Sequence, residues 1–117
     1  MTDGIEILEY TGEGYSTVMS FGAWRVAMIN YSERFEEKNL IKLERHLLTD
    51  EVFVLLDGNA ILVSDKERYR MEKNKIYNVI KGTWHAIALE KDSRVLIVEN
   101  VETGKDNSEY KIAGEEN

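Results

Sequence analysis

Short runs rich in Val, Ile, Leu, Tyr and Phe recur along the chain, each closed off by turn residues, and no stretch sustains the spacing of a helix. Such a chain can bury its apolar side chains only by pairing strands. The runs predict strands over 5–10, 15–19, 24–31, 41–47, 52–56, 60–64, 68–71, 76–80, 84–89 and 95–100. That many short strands at close spacing point to an all-β sandwich or barrel.

The 117 residues suit a single domain, 1–117, with its core between roughly 24 and 100. Asp57-Gly58-Asn59, between two apolar runs, reads as a tight hairpin because Gly58 tolerates a positive φ. Residues 64–67, 72–75 and 81–83 read the same way. Residues 32–39 are expected to form a loop with Phe35 as its one apolar anchor. The stretch 102–117 is polar apart from Tyr110, Ile112 and Ala113, and reads as a frayed tail or a weakly packed arm.

A formal charge of -7, with no basic cluster to reverse it locally, makes nucleic acid and anionic membrane poor partners. There is no cysteine, so a metal would have to be held by nitrogen and oxygen. No run approaches the length of a membrane span, and the opening Met1-Thr2-Asp3-Gly4-Ile5-Glu6 lacks a basic leader and an apolar stretch; a soluble cytoplasmic protein is the expectation.

Strand periodicity puts Lys42, Glu44 and His46 on one face, opposite Ile41, Leu43, Arg45 and Leu47. Glu51 falls in register with Phe53 and Leu55, in a run that reads as buried on both sides, so it is expected to share an interior with His46. His85 alternates with Ile87 and Leu89. Alone on that apolar face, it reads more readily as a hydrogen-bonded core histidine than as a ligand.

The stretch from Glu44 through His46 and Glu51 to Gly58 resembles the first cupin motif, in which a His-x-His pair is followed by a glutamate and a closing glycine. His46 takes the place of the second histidine, and Glu51 and Gly58 follow at matching spacing. Gly82-Thr83-Trp84-His85 is similar to part of the second motif and puts His85 at its last ligand position. Glu44 replaces the first motif histidine, Lys38 and Asn74 replace leading glycines, Ile80 replaces a proline, and Leu89 an asparagine. The resemblance implies a single-domain jelly-roll barrel, the double-stranded β-helix of the cupins, with a pocket at one mouth. It also implies a homodimer; the outward residues Val52, Val54 and Leu56 suit that pairing.

Convergence of Glu44, His46, Glu51 and His85 would suit a divalent ion such as Fe, Mn, Ni or Zn, with Glu44 or Glu51 free to act as general base. A metal-free alternative has Lys42 balance the carboxylates beside an organic ligand, and a third reading makes His46 and Glu51 a buried pair that fixes register. Tyr77, Tyr69, Tyr15 and Trp24 are candidates for the mouth, Tyr77 with Lys42 for contact with a ligand. Arg25, Arg68 and Arg70 read as solvated. Two function classes follow: a metal-dependent enzyme of the sugar isomerase, epimerase or non-haem dioxygenase type acting on a small polar metabolite, or a non-catalytic small-molecule-binding or accessory protein.

Overall fold

A computed structural model describes residues 3–113. Among the described residues, ten strands form two five-stranded antiparallel sheets: β1 (Gly14–Phe21), β2 (Trp24–Asn30), β3 (Lys42–His46), β4 (Glu51–Asp57), β5 (Ala60–Ser64), β6 (Arg68–Arg70), β7 (Tyr77–Val79), β8 (His85–Leu89), β9 (Arg94–Asn100) and β10 (Ser108–Ile112). The first sheet has the order β1-β2-β9-β4-β7 and the second β10-β3-β8-β5-β6. Apolar side chains alternate inward: Ala27 and Ile29, Phe53 and Leu55, and Val95 and Ile97 pack against Leu62 and Leu89 of the facing sheet. Among the described residues no helix is long and apolar enough to cross a membrane.

Several sequence expectations change. Residues 5–10 join no ladder; the side-chain amide of buried Asn30 instead donates to the carbonyls of Tyr10 (3.0 Å) and Gly12 (2.8 Å), and Ile5 and Ile7 are exposed. Strand β4 is not buried on both sides: Glu51, Phe53 and Leu55 are buried, Val52 and Val54 half-buried, and Leu56 exposed. The 57–59 turn keeps its left-handed glycine, with Gly58 at φ 75°, yet it carries the chain from one sheet to the other and closes no hairpin. Of the other three turns, only 64–67 joins paired strands. Residues 32–39 fold into the 3-10 turns Glu33–Phe35 and Glu37–Asn39, with Phe35 packed on the core as expected.

The expected tail contains strand β10, laid antiparallel on β3 from Ser108 opposite His46 to Ile112 opposite Lys42. Its hold is largely polar, which an apolar reading cannot detect. The Arg45 side chain donates to Glu109 (2.7 Å), the Lys111 ammonium meets Asp65 (2.8 Å), and Arg45 and Lys111 both lie over the Trp84 ring at 4.5 and 4.8 Å. Residues 114–117 of that tail lie outside the described residues.

Candidate metal and ligand site

At one end of the barrel the inward rows of both sheets turn polar. In the second sheet, Glu44 pairs with His85 in the β3–β8 ladder, and His46 follows two residues along the same face. The loop into β4 is fixed by Asp50, which accepts from the backbone N–H of Lys81 (2.8 Å) and the Asn78 amide (3.1 Å). The Gly82 N–H donates to the His46 carbonyl at 2.7 Å. These bonds hold the start of β4 beside both histidines.

Glu51 is buried, and one of its oxygens meets His46 Nε2 at 3.0 Å and His85 Nε2 at 3.1 Å. The far ring nitrogens are anchored: His85 Nδ1 lies 2.9 Å from the Thr83 carbonyl, and His46 Nδ1 2.8 Å from Ser108 Oγ. A carbonyl only accepts, so Nδ1 of His85 carries the proton, and its Nε2 either takes a second proton for Glu51 or offers a lone pair to a cation. The imidazoles also meet edge to face, 5.2 Å between centroids, which fixes their orientation.

Burial works against the charged form of Glu51, but hydrogen bonds and charge from the imidazoles outweigh it and hold its carboxyl down to about 2. Burial likewise works against charged His46; its hydrogen bond to Glu51 and the neighbouring carboxylates prevail and raise its pKa. Glu44 is more open, its side chain 39% exposed and 3.9 Å from His46 Nε2. Ligand atoms of Glu44, His46 and His85 all lie within 4.8 Å of one another.

Donors facing inward, with their far nitrogens tethered, are what a divalent ion needs, so this set fits one. The four residues singled out in the sequence are thus brought together. Lys42 is not drawn into the cluster: it is exposed, with Nζ over the Tyr110 ring at 4.5 Å. Tyr77 does not line the cavity; its ring packs on the core and its hydroxyl accepts from the Glu72 N–H (2.9 Å). Tyr69 and Trp24 are exposed, and Arg68 and Arg70 pair with Glu37 and Glu90 at the surface.

The first sheet adds a group that the sequence reading missed. The β4–β9 ladder pairs Val52 with Val98, so one step further Glu51 stands across from Glu99. Glu99 is buried; its Oε1 accepts from the Tyr15 hydroxyl (2.5 Å) and from Arg25 Nε (3.3 Å). Arg25 is therefore part of the interior, contrary to the solvated reading, and it supplies the positive charge assigned above to Lys42. Burial, followed by the charge of Glu51, raises the Glu99 pKa against the opposing Tyr15 bond. The signal was present: Val95, Ile97 and Glu99 alternate on one face, so the carboxylate had to point where the apolar residues point.

These groups line one cavity of about 1070 Å³, whose apolar walls include Ile29, Phe35, Phe53 and Ile87. Tyr110, from β10, closes the side near Glu44; burial and the adjacent carboxylate raise its pKa.

No protein-family model and no curated protein matches the sequence. Solved structures do match. A cupin-2 domain protein from Shewanella frigidimarina is 14% identical with a TM-score of 0.62, the match covering 78% of this chain and 84% of that one. KdgF from Halomonas is 17% identical with a TM-score of 0.60, covering 86% and 89%. Streptomyces PAC13, in a structure with uridine, is 6% identical with a TM-score of 0.63, covering 91% and 85%. The chain has the fold of these small cupin barrels, as the motif resemblance implied.

Proposed function

We propose that this barrel binds a divalent first-row ion through His46, His85 and Glu51 or Glu44, and uses it on a small polar metabolite held in the cavity. The observation that carries this reading is the meeting of both histidines and Glu44 within 4.8 Å at the wall of a single large cavity. A bound ion would supply Lewis acidity toward a carbonyl or hydroxyl. The chain's own residues do the rest. Ser108 and the Thr83 carbonyl orient the imidazoles, Phe53 and Ile87 shield the site, and the carboxylate left uncoordinated accepts a proton as general base. That combination suits sugar isomerase or epimerase chemistry, while a non-haem dioxygenase would use the same ligands to hold iron. The Streptomyces neighbour's uridine is a ligand of the expected size and polarity.

A second reading, a metal-free binding or accessory protein, is favoured by one feature. Glu51 already satisfies both inner nitrogens, so the cluster is hydrogen-bonded without an ion. Lys42, at the exposed rim, would then contact the ligand. Metal analysis of protein purified without chelator or tag-borne metal separates the two. A stoichiometric first-row ion that disappears in His46→Ala supports the enzyme reading; metal-free wild-type protein of the same stability as the variant supports the second.

We also propose a homodimer. On the outer face of the first sheet Val26, Val98 and Val52 form one row, and Met28, Leu96 and Val54 the next. An apolar patch of this kind calls for a partner.

A further inference from the structure

The charges on the cavity wall restrict what can enter it. Glu44, Glu51 and Glu99 present three carboxyl groups to it, and Oε1 of Glu99 accepts from the Tyr15 hydroxyl and Arg25 Nε. The one cation among the described lining residues that is not exposed, half-buried Arg25, is turned to the protein: Nε faces Glu99, and its terminal nitrogens donate to the carbonyls of Val101 (3.4 Å) and Thr103 (3.1 Å). Arg34 and Lys42 line the cavity only from exposed positions at its rim. Three carboxyl groups around one half-buried cation make the inner wall acidic, which opposes an anionic ligand.

A second, independent feature concerns hydroxyls. Ser32 Oγ and Thr103 Oγ1 are buried with no hydrogen-bond partner among the described residues, and both residues line this cavity. Thr103 is only 9% exposed. An unpaired buried hydroxyl destabilises the free protein, and a ligand able to donate and accept at that point relieves the cost. One χ1 rotation brings Thr103 Oγ1 to the position of its methyl group.

We propose that the cavity selects an uncharged, hydroxyl-rich small molecule, a free sugar or related polyol, over phosphorylated or carboxylated counterparts, with Thr103 and Ser32 among its recognition groups. This rests on the reading of the cavity as a ligand site and goes beyond it in fixing the ligand's charge and hydrogen-bonding class.

Ligand-observed NMR titrations of the metal-loaded protein with ribose, glucose and myo-inositol, each beside its monophosphate, test it. At least one free polyol is expected to bind about tenfold or more tightly than its monophosphate. Thr103→Val, which removes the hydroxyl and keeps the shape, should weaken that binding about five- to tenfold while raising Tm, because the unpaired hydroxyl is gone. Its metal content should not change. A monophosphate that binds as tightly as its free polyol, or wild-type polyol affinity in both Thr103→Val and Ser32→Ala, overturns the inference. So does the absence of any polyol binding at millimolar concentration; in that case the metal content still decides the reading beneath it.

Discussion

Ser108 on the C-terminal strand stands directly opposite His46 in the β10–β3 ladder, with its hydroxyl 2.8 Å from the ring nitrogen that faces away from the cluster. A ligand imidazole is oriented, and its tautomer set, through that outer nitrogen. Ser108→Ala is therefore expected to weaken metal binding about tenfold in a competition titration with a chelator, and Ser108→Thr to retain it. Equal affinity in all three proteins would show that the strand closes the barrel without acting on the site.

That contact also marks where the sequence stopped being informative. Alternation placed Glu51 and His85 on inward faces, because each sits in a strand whose other residues on that face are apolar, whereas His46 shares its face with Lys42 and Glu44 and was placed by its motif spacing to Glu51. Strand β10 has no such pattern: Ser-Glu-Tyr-Lys-Ile is held by a backbone ladder and by Lys111 and Glu109 pairs with distant residues. Residues 5–10 failed in the opposite sense, since β-propensity says that a segment can extend but not that a neighbouring strand awaits it. At Asp57-Gly58-Asn59 the turn chemistry gave the sign of φ correctly, while the choice between hairpin and sheet crossing depended on partners far along the chain.

Gly58 carries a conformational constraint and a steric one. At φ 75° it lies where side chains are strained, and a Cβ there would come within 2.7 Å of Ser93 Cα. Ser93 is itself buried, with its hydroxyl accepting from the Asn59 N–H at 2.8 Å. Gly58→Ala should lower unfolding free energy by about 2–4 kcal/mol in chemical denaturation. Neutral behaviour would mean that this corner is far more pliable than its packing.

Without metal, the cluster makes stability depend on pH in both directions. Glu51 has a folded pKa of about 2, below its unfolded value of about 4.3, so its contribution is complete above the latter and is lost as pH falls toward the former. His46 has a folded pKa above its unfolded value of about 6.5; its contribution is complete below that pH and fades as pH rises through the folded pKa. Raised Glu99 adds a decline in the same direction as His46, beginning near its unfolded value of about 4.3. Metal-free protein should therefore lose Tm on the acid and on the alkaline side, and Glu51→Gln should flatten the acid limb. Unchanged profiles in the two proteins would contradict the assignment of the acid limb to Glu51.

The apolar outer face predicts association. Wild-type protein should sediment as a dimer at micromolar concentration, and Val54→Glu, at the β4 end of the Met28–Leu96–Val54 row, should sediment as a monomer with an unchanged far-ultraviolet spectrum. A wild-type monomer would leave that face without the partner proposed for it.

His46, His85 and their neighbouring carboxylates are proposed to hold a metal ion. Anomalous diffraction from crystals grown with Mn or Fe tests it most directly. A single strong peak is expected about 2.0–2.2 Å from Nε2 of both histidines, with Glu51 or Glu44 completing the set. Both imidazoles still bonded to Glu51, with no anomalous peak between them, would contradict it.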